Sequence, residues 1–110
     1  MKFKPKRAEA NVQAEFYGEC KKSRIQCYLE YRSYWNGLRL GRWDAVIVKN
    51  DLIVAIVEVK GKKKTERERA DWYDSKKGKL YCSSGVPVFL LCGMDEVGKT
   101  IQAILEMGGL

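Results

Sequence analysis

Two runs of aliphatic and β-branched residues, 45–48 and 52–57, dominate the hydrophobic pattern in the middle of this sequence. Asn50 and Asp51, which are turn-forming residues, stand between the runs, so the pattern predicts a β-hairpin. Neither run alternates clearly between apolar and polar residues, which is typical of strands covered on both faces. The hairpin is therefore expected to lie inside the fold, with charged residues at its far ends.

The rest of the pattern predicts a mixed α/β domain. In chain order we expect a helix over 8–22, a strand over 25–32, a loop over 33–42, the hairpin, a helix from Thr65 to about Cys82, a strand over 86–92 and a helix over 97–107. The first helix buries a stripe at Val12, Phe16 and Cys20, which recur every four residues. Thr65 and Glu68 have the spacing of a capping box at the start of the second helix. The residues Ala70, Tyr73, Lys77 and Leu80 share one side of that helix.

The register of the predicted hairpin decides which charged residues meet. If residues 50–52 form a three-residue loop, Asp44 lies opposite Glu58, with Cβ atoms roughly 4.5–5.5 Å apart. Lys60 follows Glu58 by two residues and projects from the same face. A two-residue turn would place Trp43 opposite Glu58 instead. The prediction of a paired acidic site therefore depends on the register.

Two carboxylates at one site repel each other, and a hard divalent cation relieves that repulsion. Mg²⁺ prefers oxygen ligands and is commonly held by one or two carboxylates, waters and substrate phosphates. A nearby lysine can orient the attacking water or stabilise developing charge. The alternative is an edge hairpin with charged ends, in which Glu58 and Lys60 form a solvent-exposed pair. The acidic pair interrupts two strands that look buried, which favours the metal site.

The composition adds a preference for a polyanionic partner. The chain has 110 residues, enough for one domain, and its 21 Lys and Arg outnumber its 14 Asp and Glu, giving a formal charge of +7. Such an excess favours nucleic-acid phosphates, although solubility or an anionic membrane would also explain it. No apolar run reaches the roughly 18 residues of a membrane helix. Residues 1–7 read as a basic arm.

The titratable residues exclude several other chemistries. The chain contains no histidine, which rules out histidine-based triads and leaves carboxylate and lysine chemistry. Its four cysteines lack CxxC spacing, and a zinc site would require all four thiolates to converge. We expect reduced, mostly buried cysteines in a cytoplasmic protein: Cys20, Cys27, Cys82 and Cys92.

Asp44, followed after thirteen residues by Glu58-Val59-Lys60, lies between an acidic first helix and a later crossover helix. In this order the chain resembles the PD-(D/E)xK nuclease superfamily, and within it the small VRR-NUC domains and the archaeal-type Holliday junction resolvases. The resemblance covers residues 9–92 and implies a restriction-endonuclease-like core. Trp43 stands where the family name has proline. The helix after the second acid offers Glu66, Glu68 and Arg69 where VRR-NUC domains usually carry glutamine.

The resemblance also implies roles for individual residues. Asp44 and Glu58 correspond to the metal-binding acids and Lys60 to the catalytic lysine. Glu9, three residues before the first buried aliphatic of its helix, corresponds to an additional acid beside the metal, and the Val59 carbonyl to a further ligand. Read without the resemblance, Glu9 is an acidic residue that complements the dipole of the first helix turn.

These observations lead us to expect an enzyme that hydrolyses DNA phosphodiesters with Mg²⁺ or Mn²⁺, an endonuclease more than an exonuclease, acting as a homodimer suited to branched DNA. The residues expected at the nucleic acid are Trp35, Arg39, Arg42, Lys62, Lys63, Lys64 and Lys76. Trp35 could instead pack on the sheet from an ordinary loop. A non-catalytic nucleic-acid-binding module on the same fold and an adaptor for an acidic protein remain the alternatives. The sequence leaves open DNA against RNA and branched against linear substrates.

Overall fold

A computed structural model describes residues 7–35 and 38–107. A four-stranded mixed sheet with strand order β1-β2-β3-β4 carries helices on both faces, which confirms the predicted α/β fold. β1 pairs with β2 and β2 with β3 in antiparallel orientation, whereas β3 and β4 are parallel. The elements are α1 (Arg7–Lys22), β1 (Gln26–Trp35), β2 (Leu38–Lys49), β3 (Leu52–Lys60), α2 (Glu66–Asp74), α3 (Lys76–Cys82), β4 (Val88–Cys92), a 3₁₀ turn (Met94–Glu96) and α4 (Val97–Leu105).

Both faces of the β2–β3 hairpin are buried over residues 45–47 and 55–59, as the apolar runs predict, whereas its turn end is not, with Leu52 68% exposed. On one face α1 and α4 pack against Ala45, Ile47, Ala55 and Val57, all fully buried. On the other face a smaller cluster consists of Trp43, Val46, Ile56 and Tyr81. Fully burying one such aliphatic side chain is worth about 1.5–3 kcal/mol relative to leaving it exposed. Packing on both faces therefore fixes the position of the charged residues at the end of the hairpin opposite its turn.

The predicted three-residue loop is wrong, because the hairpin turns on two residues. Asn50 and Asp51 have φ values of 52° and 63°, the positive values that a type I′ turn requires, and Lys49 pairs with Leu52. A β-bulge between Ile47 and Val48 then shifts the register by one residue.

Beyond the bulge Ala45 pairs with Val57, so the next residue along each strand brings Asp44 opposite Glu58. The turn alone would have put Trp43 there. The expected pairing of the two acids is present, and the bulge produces it.

The predicted loop over 33–42 is also wrong in its described part. β1 continues to Trp35 and β2 begins at Leu38, with Ser33 paired to Gly41 and Tyr34 to Arg39. Ladder hydrogen bonds join backbone groups, so a segment rich in polar residues satisfies them as well as an apolar one. The side chains of residues 31–42 lie outside the described part of the structure, as do residues 1–6 of the predicted basic arm.

The long helix predicted from Thr65 to Cys82 is two helices. The capping box is present: the Thr65 hydroxyl accepts from the Glu68 N–H at 3.1 Å, and the Thr65 N–H donates to the Glu68 carboxylate at 3.0 Å. Ser75 is extended, with φ −69° and ψ 163°, which ends α2, and its hydroxyl accepts from the Gly78 N–H at 3.1 Å, which caps α3. A Cβ on Gly78 would lie 2.0 Å from the Trp72 carbonyl oxygen, so only glycine permits this close approach of the helices.

All four cysteines are free thiols; Cys20, Cys27 and Cys92 are buried and Cys82 is exposed, which agrees with the prediction of reduced, mostly buried cysteines. In residues 7–35 and 38–107 no helix has the length and apolarity needed to cross a bilayer.

Candidate active site

Asp44 lies where β2 leaves its backbone pairing with β3. The last residues whose backbones pair are Ala45 and Val57. Beyond them the Val59 N–H donates to Oδ2 of the Asp44 carboxylate at 2.8 Å. The Gln13 side-chain amide of α1 donates to the Asp44 carbonyl at 2.9 Å. Asp44 is therefore fixed from two directions, by the neighbouring strand and by the helix that covers the sheet.

Glu58 is a buried carboxylate with three partners, two from α3 and one from its own strand. It is 1% exposed and lies in β3, between β2 and β4. The Tyr81 hydroxyl donates to Glu58 Oε1 at 2.9 Å, and the ammonium groups of Lys60 and Lys77 both lie 3.1 Å from Oε2. A carboxylate withdrawn from water in this way needs such partners, because burying an unpaired charge costs several kcal/mol.

The two acids share one environment, but their pKa values are shifted in opposite directions. Burial, the charge of Glu58 and a hydrogen bond with it raise the pKa of Asp44 to about 7, against smaller opposing effects of the Val59 N–H and Lys77. Burial would also raise the pKa of Glu58, but the hydrogen bond with Asp44 and the ammonium groups of Lys77 and Lys60 lower it below its usual 4.5. The pair therefore holds one proton below about pH 7, mainly on Asp44, and releases it as the pH rises through that value.

Tyr81 keeps its proton throughout this range, because burial and the charges of Glu58 and Asp44 raise the pKa of its hydroxyl. Its ring is held edge-on by Trp43 and Trp72, with ring centroids 6.1 and 5.5 Å away. Tyr81 is thus a permanent, rigidly placed hydrogen-bond donor to Glu58.

Glu9 does not join the acidic pair. It lies half-buried in the first turn of α1, near the end of β3, since a Cβ built on Gly61 would be 2.8 Å from the Glu9 nitrogen. Within the described ranges, however, no three Asp, Glu or Cys side chains converge as a metal-binding group. The α1 residue that contacts Asp44 is Gln13, one helical turn later.

The Val59 carbonyl is suitably oriented for the ligand role that the resemblance implies. The N–H and C=O of one strand residue point to the same side, and the Val59 N–H points to Asp44. The neighbouring Lys60 carbonyl points the other way, where it accepts from the Gly93 N–H at 2.9 Å. The Val59 oxygen is therefore directed towards β2, on the side of Asp44.

The predicted phosphate-binding lysines form two groups. Lys62 and Lys63 are exposed and follow directly after β3, and Lys64 is half-buried with its ammonium 3.8 Å from the Glu68 carboxylate. Lys76 is exposed at the start of α3. The side chains of Trp35, Arg39 and Arg42 belong to the undescribed part, so their predicted roles stay predictions.

Sequence reasoning did not assign Lys77 and Tyr81 to the site, although both contact Glu58. The available signal was the lysine on the otherwise apolar side of the second predicted helix, four residues before a tyrosine. The signal was weak, since Ala70, Tyr73 and Lys77 are all exposed in the structure, although the Lys77 ammonium reaches the buried Glu58. The partner itself becomes visible only once the break at Ser75 has set the direction of α3.

Comparison with known proteins found no matching family model, no matching curated protein and no matching solved structure.

Proposed function

We propose that this protein is a metal-dependent nuclease that hydrolyses DNA phosphodiester bonds. The observation that carries the proposal is the convergence of Asp44, Glu58 and Lys60 at the end of a buried hairpin, with Glu58 1% exposed and the Lys60 ammonium 3.1 Å from it. Two buried acids in contact destabilise a fold, because both carboxylates lose hydration and repel each other. Such a pair is therefore more typical of a site that binds a cation than of a purely structural cluster.

The donor set fits a hard divalent cation. Asp44 and Glu58 would hold the cation through carboxylate oxygens, together with the Val59 carbonyl on the same side, and Mg²⁺ or Mn²⁺ would accept waters and substrate phosphate as its other ligands. Two carboxylates that hold a single proton bind a cation in exchange for that proton. Binding through Glu58 Oε2 requires the ammonium groups of Lys60 and Lys77, now 3.1 Å away, to release it. When bound, the metal lowers the pKa of a coordinated water and polarises the phosphodiester.

The residues of the chain then divide the remaining work. The Val59 N–H and Gln13 hold Asp44 in place, and Tyr81 orients Glu58 through Oε1. Lys60, 27% exposed in its side chain, is near enough to the acids to orient the attacking water and to stabilise charge on the phosphate.

The basic segment after β3 supports a nucleic-acid substrate. Lys62 and Lys63 are exposed two and three residues beyond Lys60, and the chain carries +7 overall. Lysines in this position contact phosphates on either side of the one being cleaved. A cytoplasmic homodimer, with two sites acting on opposite strands of branched DNA, and endonuclease cleavage are the finer parts of the proposal.

A second candidate is a non-catalytic nucleic-acid-binding module. It is favoured by the saturation of Glu58, whose two oxygens are both engaged by Tyr81, Lys60 and Lys77. In that case the acids and lysines form a structural network and no cation binds. An adaptor whose basic surface meets an acidic protein is a third candidate, and it predicts neither cleavage nor affinity for nucleic acid.

One experiment separates the three. Labelled four-way junction, flap, duplex, single-stranded DNA and RNA are incubated with the wild type in Mg²⁺, Mn²⁺ or EDTA, beside Asp44→Asn and Glu58→Gln. The nuclease predicts cleavage of at least one DNA substrate by the wild type in metal only, with binding retained by both variants. Binding without cleavage in every metal supports the module, and absence of both supports the adaptor. Full activity of the two variants would remove the proposed site.

A further inference from the structure

A cleft of about 340 Å³ opens beside the acidic pair, between α2 and the ends of β3 and β4. It is lined by Lys60, Lys64, Glu68, Asp71, Trp72 and Leu90. The cleft thus begins at the lysine that contacts Glu58 and extends along α2. A second cleft of about 330 Å³ is lined by Asn50 and Leu105, at the turn end of the hairpin, away from the acids.

Helical spacing gives the α2 side of the cleft its chemistry. Glu68, Asp71 and Trp72 are separated by three and four residues and therefore share one face of α2. Glu68 is already engaged by the Thr65 backbone and by Lys64. The exposed Asp71 carboxylate makes no hydrogen bond or ion pair with any residue of the described ranges.

The Trp72 indole is held in place and only partly buried. The rings of Tyr73 and Tyr81 meet it edge-on, with centroids 5.1 and 5.5 Å away. Because Trp72 lines the cleft and is partly exposed, its ring is available to a planar ligand, and stacking of a nucleobase on an aromatic ring is worth about 1–3 kcal/mol. Leu90, 7% exposed, adds an apolar wall.

We propose that this cleft binds one deoxynucleotide, with the base against Trp72, an amino group of the base donating to Asp71 and the phosphate on Lys64. The volume lies in the range of small-molecule sites, and the lining supplies the three chemistries that a nucleotide presents. A carboxylate accepts hydrogen bonds and cannot donate, so Asp71 favours cytosine, which carries an N4 amino group, over thymine, which offers O4 there. This rests on the proposed function, where the bound nucleotide neighbours the scissile phosphate.

The test measures binding in EDTA, so that it is independent of cleavage. Affinities for deoxycytidine 5′-monophosphate, thymidine 5′-monophosphate and deoxycytidine are measured by calorimetry, and those for short oligo-dC and oligo-dT by fluorescence anisotropy. We expect cytosine to be preferred by about fivefold, as one hydrogen bond of about 1 kcal/mol gives. Asp71→Asn should abolish the preference, because the amide accepts from cytosine and donates to thymine equally well. Asp74→Asn, an exposed acid on the same helix that does not line the cleft, is the matched control.

Two further variants test the other contacts. Trp72→Ala should weaken binding of both nucleotides about tenfold or more, whereas Trp72→Phe, which keeps a ring, should retain most of the affinity. Lys64→Ala should weaken binding of the nucleotide and leave deoxycytidine unchanged. If cytosine is preferred only in the oligonucleotides, the cleft binds a nucleotide within a strand. If cytosine is preferred in the monophosphates as well, the cleft also binds the free nucleotide.

Equal affinity for cytosine and thymine in both arms, or equal effects of Asp71→Asn and Asp74→Asn, would overturn the inference. The outcome is distinct from failure of the nuclease proposal. A protein that cleaves DNA in Mg²⁺ without base preference keeps its function and loses the cleft as a nucleotide site. A protein that shows the Asp71-dependent preference and never cleaves keeps the cleft and loses the catalytic role.

Discussion

Replacing Asp44 by asparagine should stabilise the metal-free protein, and more so as the pH rises. Asparagine resembles the protonated carboxyl: its amide oxygen can accept from the Val59 N–H, as Asp44 does at 2.8 Å, and its amide N–H can donate to Glu58, with which Asp44 shares a hydrogen bond. The wild type must ionise a carboxyl whose pKa is about 7 in the folded protein and 3.8 in the unfolded chain. A difference of about 3.2 between these values amounts to about 4 kcal/mol against folding once both states are ionised.

The sign and the pH window follow from the raised pKa. Below about pH 4 both states carry the proton, and the wild type loses nothing. Between 3.8 and 7 the unfolded chain has released a proton that the folded protein retains, so wild-type stability falls with pH relative to Asp44→Asn. We expect the stability difference between variant and wild type to grow by about 2.5 kcal/mol from pH 5 to pH 8. Glu58 has a lowered pKa, is ionised throughout this window and is present in both proteins.

Urea denaturation of both proteins in EDTA, at several pH values from 5 to 8, measures this difference. Similar denaturant slopes would show that the two proteins expose the same surface on unfolding. Asp74→Asn, at the exposed end of α2, is the control and should show no growing difference. A difference between Asp44→Asn and wild type that is constant with pH, or that shrinks as the pH rises, would refute the reasoning.

Three further predictions concern the lysines. Lys60→Ala should lower kcat by about 10²–10³ with little loss of DNA affinity; an equal loss of both would make Lys60 a phosphate contact. Lys77→Ala removes an ammonium group whose charge lowers the pKa of both Asp44 and Glu58, so the pKa of Asp44 should rise and the acid limb of the pH–rate profile should move to higher pH, whereas Lys79→Ala, exposed on the same helix, should leave the profile unchanged. Replacing the lysines at 62–64 by alanine should reduce the slope of log K against log salt on duplex DNA by about two to three, because each phosphate contact contributes about 0.9; an unchanged slope and affinity would move the DNA path elsewhere.

The hairpin shows how a correct strand register can be predicted from an incorrect turn. The apolar runs identified both strands, since burial on both faces leaves a pattern in the sequence. The two-residue turn and the bulge between Ile47 and Val48 were not visible, because a bulge depends on how the strand twists against its neighbours. Assuming a three-residue loop shifted the predicted register by one residue relative to a two-residue turn. The unforeseen bulge shifts the observed register by the same amount. The pairing of Asp44 with Glu58 therefore agrees with the prediction for a different reason.

The parts of the site that the sequence did not reveal come from elements far away along the chain. Lys77 and Tyr81 are 19 and 23 residues beyond Glu58, and they reach it because the chain breaks at Ser75 and turns α3 onto the sheet. The first helix shows the same limit at Glu9. Its position in α1 was predicted correctly, but the helix presents Gln13 to Asp44. Local spacing predicts the helix, and only its packing on the sheet selects the residue that makes the contact.

Binding of Mn²⁺ tests the central claim most directly. Calorimetry in buffers of different ionisation enthalpy gives both the affinity of the wild type and the number of protons released on binding. With the pKa of Asp44 raised to about 7, we predict one Mn²⁺ per chain, release of about one proton at pH 6 and of almost none at pH 8.5. Asp44→Asn and Glu58→Gln should each lose the site. Absence of Mn²⁺ binding to the wild type, or binding that both variants retain, would contradict the account.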